Sequence, residues 1–358
     1  MPTDWRADWK IMRSSVRGPT HERLMIPNQD RVEVSESEAN FLIAAVSDGH
    51  GSAKSFRSDV GSRIAAQAAI DVLTRFFQGD WTNSSFSDRK SEVEFGIPKG
   101  ITRAWRERVS VDLEQSPFTD DERERLVAKE GEEAFARITA NPHLAYGATV
   151  LTVGITEEFF VYLQLGDGDI LTVLNTGEVI RPLPGDDRLF ANETTSLSSE
   201  TAWQDFRAVI HPAPRGRPSL RLLLLATDGY SNSFRDDASF LKAGTDFLEI
   251  LRADGGVGDV ENHLEEWLSE SARMSGDDVT LCLLYQHSDD AAYSPSAYED
   301  VESPVECESA HMTNSEPIPI SEQKGAMQLD SKIDQQAEAI SVDTPISPRS
   351  QNGDHGQS

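Results

Sequence analysis

Five acidic residues of this chain each stand at an end of an apolar segment: Asp30, Asp48, Asp167, Asp228 and Asp277. Such segments indicate β-strands, which would carry the carboxylates to the rim of a core. Carboxylates brought within a few ångströms of one another repel by amounts on the kcal/mol scale, and each raises the pKa of its neighbours. Because divalent cations relieve that repulsion, we expect these side chains to bind metal ions together.

The available ligand atoms indicate the kind of ion. They are oxygen atoms, and the sequence has neither a cysteine cluster nor a histidine cluster. Hard cations prefer oxygen ligands, so the sequence predicts Mn²⁺ or Mg²⁺ rather than Zn²⁺. Two such ions a few ångströms apart can hold a bridging hydroxide and polarise a phosphoryl group for in-line attack. The expected chemistry is therefore hydrolysis of a phosphate ester.

The segment around Asp48 shows how one carboxylate is placed. Residues 41–46 are an apolar run, after which the chain turns through Gly49, His50 and Gly51. The glycines let the backbone bend and leave the Gly49 carbonyl uncovered as a further oxygen ligand. His50 titrates near neutral pH and adjoins this turn, where it could protonate a leaving alkoxide. Taken alone, the segment is equally consistent with an ordinary hairpin turn.

Apolar periodicity predicts the elements that position these residues. We expect strands over 31–34, 41–46, 149–155, 159–165, 170–174, 220–227 and 279–285. We expect helices over 55–77, 97–113, 120–138, 240–251 and 260–271. The run 159–165 is apolar on nearly every position, which is typical of a strand buried on both faces in the middle of a sandwich.

Composition limits the class of protein. The chain has 358 residues and a formal net charge of −28, which argues against nucleic-acid binding and suits a site that collects cations. No apolar run reaches membrane-spanning length, and we expect a cytoplasmic protein without membrane association. Cys282 and Cys307 are too few for a disulfide framework. We expect a folded domain over 1–287 and a disordered, acidic, Ser- and Pro-containing tail over 288–358.

Five motifs resemble, in order, those of the metal-dependent PP2C-type serine/threonine phosphatases, over roughly residues 11–286. They are Asn28-Gln29-Asp30, Ser47-Asp48-Gly49-His50-Gly51, Gly147-Ala148-Thr149 with Gly166-Asp167, Ala226-Thr227-Asp228-Gly229, and Asp277-Asp278-Val279-Thr280. The loop at His21 and residues 191–194 are more similar to a bacterial branch of the family. The resemblance implies an α+β fold, a four-layer αββα sandwich of two antiparallel sheets flanked by helices.

The resemblance also implies roles for the acidic residues. Asp48 would bridge two metal ions, and the Gly49 carbonyl would bind one of them. Asp228 and Asp277 would hold the other ion. Asp30 would act on the first ion directly or through water.

Two further roles and one departure follow from the resemblance. Asp167 would serve a third, weaker metal site, and His50 would be the general acid. Family members often carry an arginine five residues before the opening aspartate, where it binds the substrate phosphate. That position is Met25 here, so His21 or Arg23 would have to replace the arginine.

The implied partners are phosphorylated proteins, including a serine/threonine kinase or its targets. Three alternatives stay open at this stage. Asp167 could simply shape a turn. A calcium-binding loop that starts at Asp167 is disfavoured, because Leu171 and Thr172 do not fit the pattern of such a loop. The whole chain could be a phosphoprotein-binding or scaffold module without turnover, or the acidic tail could be an interaction segment. Asp278 is interpreted as a cap or a solvated residue, and specificity is expected in residues 79–142 and 182–204.

Overall fold

The computed structural model describes residues 8–35, 40–81, 84–183, 195–213 and 219–287. The predicted tail, 288–358, and residues 191–194 lie outside these ranges. The strands within them are β1 (Trp9–Val16), β2 (Arg31–Val34), β3 (Leu42–Ser47), β4 (Val150–Ile155), β5 (Phe159–Leu165), β6 (Asp169–Leu174), β7 (Val179–Ile180), β8 (Arg207–Pro212), β9 (Leu220–Ala226) and β10 (Val279–Gln286).

Helices connect these strands. They are α1 (Pro19–Leu24), α2 (Ser58–Phe77), α3 (Phe86–Ser91), α4 (Ile97–Gln115), α5 (Asp120–Glu130), α6 (Glu132–Ala140), α7 (Asp228–Ser231), α8 (Asp237–Arg252) and α9 (Gly256–Ser275). A π-helical turn, Glu92–Gly96, joins α3 to α4, and 3₁₀ turns occupy Pro142–Tyr146 and Ala202–Gln204.

The strands form two antiparallel sheets. The first has the order β1-β10-β9-β6-β7, and the second has the order β2-β3-β4-β5-β8. In the second sheet, Arg31 at the start of β2 pairs with Ser47 at the end of β3. In the first sheet, Ala226 at the end of β9 pairs with both Asp169 and Leu281. These registers place the strand termini that adjoin the acidic motifs at the same end of each sheet.

The two sheets pack face to face around an apolar core. Leu42, Ala44 and Val46 of β3 share this core with Leu223 and Leu225 of β9. The residues that alternate with them face the helices instead, because successive side chains of a strand point to opposite faces. The interpretation of β5 as a strand buried on both faces is confirmed, since all seven of its residues are buried.

Helices cover the outer face of each sheet. Small residues along α2, such as Ala65 and Ala68, let that helix lie close on the second sheet. Behind it packs α4, whose Trp105 donates an indole hydrogen bond to the Gly61 carbonyl at 2.9 Å. The first sheet is covered by α8 and α9. The molecule is therefore the four-layer αββα sandwich that the sequence predicts.

One predicted helix is wrong. The expected single helix over 120–138 is two helices, because Gly131 takes a left-handed φ of 86° and ends α5. The run 122–125 also differs from the expected solvated face. Arg123 and Glu124 are exposed, whereas Glu122 turns inward to bind Arg57. The strands β1, β7 and β8 were not predicted, and His21, which was expected in a loop, lies in the helix α1.

Candidate active site

The Asp48 turn is held in place by Thr149 on the neighbouring strand. The Asp48 carbonyl accepts a hydrogen bond from the Thr149 amide at 2.8 Å, and the Asp48 amide donates to the Thr149 hydroxyl at 3.1 Å. The Ser47 hydroxyl donates to the Thr149 carbonyl at 2.5 Å. The central Gly-x-Thr motif therefore positions the side chain of Asp48 through the backbone.

Gly49 occupies a space that no other residue could fill. A Cβ atom there would stand 2.6 Å from the Ser58 carbonyl oxygen and 2.7 Å from that of Gln29. The Gly49 amide donates to the Gln29 carbonyl at 3.1 Å, which ties the turn to the segment before Asp30. Within the described ranges, no donor reaches the Gly49 carbonyl oxygen, so this oxygen is available as a ligand.

The turn that carries Asp167 is held from the preceding strand. The Gln164 side-chain amide donates to the carbonyls of Gly166 and Gly168 at 3.2 and 2.5 Å. Gly166 has a φ of 105°, and a Cβ atom there would lie 2.4 Å from a methyl carbon of Thr149. Asp167 is therefore presented at the same strand edge as the Asp48 turn.

Asp228 and Asp277 come from neighbouring strands of the first sheet. Asp228 begins the short helix α7, and its carboxylate accepts a hydrogen bond from the Asn232 amide at 3.1 Å. The next residue, Gly229, packs so closely on the following motif that a Cβ atom would stand 2.0 Å from the Asp278 carbonyl oxygen. A side chain at Gly229 would therefore push the Asp228 motif away from the Asp277-Asp278 motif.

Asp30 links the two sheets. One of its carboxylate oxygens, Oδ2, accepts a hydrogen bond from the Thr227 hydroxyl at 2.8 Å. Thr227 lies after β9 of the first sheet, whereas Asp30 precedes β2 of the second. The other oxygen, Oδ1, is buried and has no aligned donor among the residues the structure describes. An unpaired buried carboxylate oxygen is costly, so this atom favours a ligand.

The structure brings three of the predicted ligands into one cluster. Carboxylate oxygens of Asp48, Asp167 and Asp228 lie within 4.8 Å of one another. Burial raises the pKa of Asp48 well above its ordinary value, and the negative charges of Asp30 and Asp228 raise it further. Burial followed by the charge of Asp167 likewise raises the pKa of Asp228. A cation bound among these carboxylates would oppose both the burial penalty and their mutual repulsion.

The Asp30 carboxyl belongs to the same electrostatic group. Burial, followed by the charge of Asp278, raises its pKa to about 8. The charge of Asp277 in turn raises the pKa of Asp48 and of Asp228. All five predicted carboxylates therefore lie near one end of the sandwich, with Asp277 the most exposed of them.

Asp278 differs from its interpretation as a solvated residue. Its side chain is 3% exposed and accepts hydrogen bonds from the Gly18 and Gln29 amides at 2.7 and 2.6 Å. The Nδ1 atom of His21, which is also buried, lies 2.9 Å from the Asp278 carboxylate. Ligand atoms of His21, Asp277 and Asp278 lie within 4.8 Å of one another. His21 is thus at the edge of the acidic site.

His50 adjoins the cluster on the other side. Its amide donates to the Gly147 carbonyl at 3.0 Å, which fixes the backbone of the turn. Its Nε2 atom is buried without a hydrogen-bond partner among the described residues. Burial lowers the pKa of His50, and the charge of Asp167 opposes that effect. An imidazole nitrogen that has no hydrogen-bond partner among the described residues can carry a proton to or from a bound group.

The two remaining positions lie away from the carboxylates. Arg23 is exposed, and its guanidinium donates to the Thr20 hydroxyl at 3.1 Å. Met25 is 89% exposed and ends α1 in the left-handed conformation. Of the two residues predicted to replace the missing arginine, only His21 contacts a residue of the acidic motifs in the described contacts.

The donor set fits a hard divalent cation. The available atoms are carboxylate oxygens and one backbone carbonyl, which are the ligands of Mg²⁺ and Mn²⁺. The orphaned Oδ1 of Asp30 and the raised pKa values of three carboxyls show that the cluster lacks compensating positive charge. No described lysine or arginine forms a recorded ion pair with Asp48 or Asp228.

The two sheets of the sandwich bring acidic motifs to one shared end, where they offer oxygen ligands for divalent ions. This arrangement defines the class of PP2C-like phosphatase folds. The chain belongs to the protein phosphatase 2C family, whose family model matches residues 17–269. The predicted family is confirmed by this match. No curated protein sequence matches the chain.

Solved bacterial phosphatases are similar to this chain in fold, at low sequence identity. Stp1 from Staphylococcus aureus is 15% identical, with 77% of this chain and 94% of that one covered and a TM-score of 0.48. The Mycobacterium tuberculosis phosphatase PstP/Ppp is 15% identical, with coverage of 78% and 99% and a TM-score of 0.45. The S. agalactiae serine/threonine phosphatase is 16% identical, with coverage of 77% and 99% and a TM-score of 0.47.

The sequence did not predict the residues that support the carboxylates. Thr149 and Thr227 belong to the quoted motifs, but the motifs alone do not assign their hydrogen bonds. The signal that could have indicated a separate role for Asp278 is the pair of adjacent acidic residues before a strand, because neighbouring side chains of extended chain point in different directions.

None of the helices in the described ranges combines the length and apolar character needed to cross a bilayer.

Proposed function

We propose that this protein is a metal-dependent serine/threonine protein phosphatase that hydrolyses phosphoserine and phosphothreonine on protein substrates. The single observation that carries the proposal is the approach of Asp48, Asp167 and Asp228 to within 4.8 Å, from three motifs far apart in the chain. Membership of the protein phosphatase 2C family supports the same reaction class. The substrates would include a serine/threonine kinase or that kinase's targets.

The acidic residues would hold two ions, with Mn²⁺ or Mg²⁺ as the natural candidates. Asp48 would contribute to both, with the Gly49 carbonyl on one and Asp228 and Asp277 on the other. Asp30 would act on the first ion directly or through water. When bound, the ions polarise the phosphoryl oxygens and supply the attacking water as hydroxide.

The protein's own side chains handle the protons and support a third ion. Asp167 would hold the third, weaker ion beside Asp228. His50 delivers a proton to the serine or threonine oxygen as the phosphoester bond breaks, which requires its protonated form. Its unpartnered Nε2 is the atom for this transfer.

Phosphate recognition falls to His21 rather than to Arg23. The His21 Nδ1 atom lies 2.9 Å from the Asp278 carboxylate without an aligned hydrogen bond, and its Nε2 atom lies 3.9 Å from where a Cβ of Gly51 would stand. An N–H at that atom can donate to a phosphoryl oxygen. The imidazole thus takes the place of the family's arginine.

A phosphate-release assay tests the proposal. The purified chain with Mn²⁺ should release phosphate from a phosphoserine peptide, and Asp48→Asn and Asp228→Asn should each abolish release. Asp259→Asn, an exposed change on α9, is the matched control and should keep full activity. Undiminished release by the Asp48 and Asp228 variants would refute the mechanism. Tight phosphopeptide binding without any turnover would instead indicate a binding module.

A further inference from the structure

A groove with a volume of about 320 Å³ opens directly beside the candidate active site. Gln29 and Gly51 line it, and these residues are the immediate neighbours of Asp30 and His50. The groove therefore adjoins the backbone segments that carry Asp30 and His50. A polypeptide whose phosphoserine reaches the carboxylates has its adjoining residues within reach of this groove.

One wall of the groove is apolar and unusually exposed. Leu24 is 57% exposed and Met25 is 89% exposed, and both line the groove together with Ala53 and Phe56. Large apolar side chains left in water beside a concave surface are typical of a contact site for another molecule. The wall is suited to an apolar side chain of a bound peptide.

The backbone of Met25 gives a second, independent indication. This residue ends α1 with φ 54° and ψ 33°, and it is the one non-glycine residue with positive φ among those described. Helices prefer glycine at such a position, and a side chain there costs about 1 kcal/mol. The backbone of Met25 adopts a disfavoured conformation, and its side chain makes little contact with the rest of the protein. Such a side chain is suited to contact with another molecule.

The opposite wall is a face of α5. It presents Glu122, Arg125, Leu126 and Lys129 at helical spacing. The Glu122 carboxylate already accepts two hydrogen bonds from one edge of the Arg57 guanidinium, from Nε at 2.7 Å and from Nη2 at 2.9 Å, so its charge is compensated. Among the described residues, the ion pair of Arg125 is with Asp121, which is also exposed. Ion pairs on the surface are weak and exchange readily. This wall therefore offers positive charge in a chain of net charge −28.

We propose that this groove binds the substrate residues that adjoin the phosphorylated side chain. It selects an apolar residue for the Leu24–Met25 wall and an acidic residue for Arg125 and Lys129. This inference rests on the proposed phosphatase function and adds a substrate class to it. Arg57 fixes α5 to the start of α2, so the two walls are held at a set separation before a peptide binds.

The test compares two phosphoserine peptides of equal length. The first peptide carries leucine and glutamate close to the phosphoserine, and it is made in two versions, with these residues before or after the phosphoserine. The second peptide carries glycine and lysine at the same positions. With Mn²⁺, the full-length protein should show a kcat/KM ratio of about tenfold in favour of the first peptide. Met25→Gly and Lys129→Glu should each bring that ratio close to one. Lys242→Glu, a charge reversal on α8 against the other sheet, should leave the ratio as it is.

Met25→Gly also removes misfolding as an explanation. Because glycine suits the left-handed position, this variant should melt at the same temperature as the parent protein or higher, while it loses the preference. The groove is refuted if both variants keep the parent's peptide ratio, or if the parent protein has none. If no substrate at all is hydrolysed, the phosphatase function fails separately. Fluorescence anisotropy of the same labelled peptides then decides whether their binding depends on Met25 and Lys129.

Discussion

The Nδ1 atom of His21 lies 2.9 Å from the carboxylate of Asp278, and both side chains are buried. The same carboxylate accepts hydrogen bonds from the Gly18 and Gln29 amides. One acidic side chain of the last motif therefore holds both ends of the segment that leads to Asp30. The charge of its neighbour Asp277 raises the pKa of Asp48 and of Asp228.

This pairing predicts coupled effects on phosphate binding. His21→Gln and Asp278→Asn should each weaken inhibition by inorganic phosphate about tenfold, which corresponds to about 1.4 kcal/mol. The double variant should be little worse than Asp278→Asn alone, because the His21 contact is already lost in that variant, which also weakens the hydrogen bonds from the Gly18 and Gln29 amides. Calorimetric titration with Mn²⁺ should give the same affinity in His21→Gln as in the parent. Additive losses, or a loss of Mn²⁺ affinity with His21, would contradict the role in phosphate recognition.

The Asp30 carboxyl predicts how stability depends on pH. Its pKa is about 8 in the folded, metal-free protein, against an ordinary value of 3.8. Between these values the folded state binds more protons than the unfolded state, so the free energy of unfolding falls as pH rises. The slope contributed by one carboxyl is at most about 1.4 kcal/mol per pH unit.

Urea unfolding of metal-free protein at pH 5 and pH 8 measures this effect. Stability should be lower at pH 8, and Mn²⁺ should restore more of it there, because at pH 5 the ion must compete with bound protons. Asp30→Asn should show a smaller decrease between the two pH values. Stability that increases from pH 5 to pH 8 would contradict the assignment of a raised pKa to this cluster.

His50 predicts a dependence on the leaving group. Burial lowers its pKa, so the fraction that can donate a proton grows as pH falls below neutrality. His50→Gln should lower kcat for a phosphoserine peptide by about 10²-fold, because an alkoxide leaves poorly without a proton. An aryl phosphate, whose leaving group needs no proton, should lose much less. Equal losses for both substrates would show that His50 is not the acid.

Arg57 predicts a stability effect that is separate from catalysis. Its guanidinium binds Glu122 and the carbonyls of Ser116 and Pro117, at 2.5 Å for Ser116 and 3.0 Å for Pro117. Arg57→Met would remove the countercharge of Glu122, which keeps only its hydrogen bonds from Thr119, and would leave the Ser116 and Pro117 carbonyls without this donor, which together cost about 2 kcal/mol. Arg103→Met, at an exposed pair 3.7 Å from Glu107, should cost less than about 1 kcal/mol. Similar midpoints in urea for the two variants would contradict this reading.

Most of the predicted strands lie in the interior of the sheets, and β2 is the one predicted strand at an edge among those described. The runs that form β3, β5, β9 and β10 are almost wholly apolar, because each strand is buried on both faces. The strands β1 and β8 lie at sheet edges and carry polar residues on their exposed face, so their periodicity is weak. The split of α5 from α6 depends on the conformation of Gly131, which helical periodicity does not reveal.

The acidic residues of the site could be predicted because a strand fixes where its own end lies. Asp48, Asp167 and Asp228 follow or precede long apolar runs, and register brings those ends together. The roles of Asp278 and Arg57 could not be predicted, because their partners are distant in the chain. Gly18 donates to Asp278 across 260 positions, and such contacts exist only once the sheets are packed.

The most direct test of the account is anomalous diffraction from crystals grown with Mn²⁺. The account predicts two manganese ions bridged by Asp48, with the Gly49 carbonyl on one and Asp228 on the other. Crystals of Asp48→Asn should lose at least one of them. Manganese absent from this end of the sandwich, or bound without contact to Asp48 and Asp228, would contradict the proposed metal centre and the reaction that depends on it.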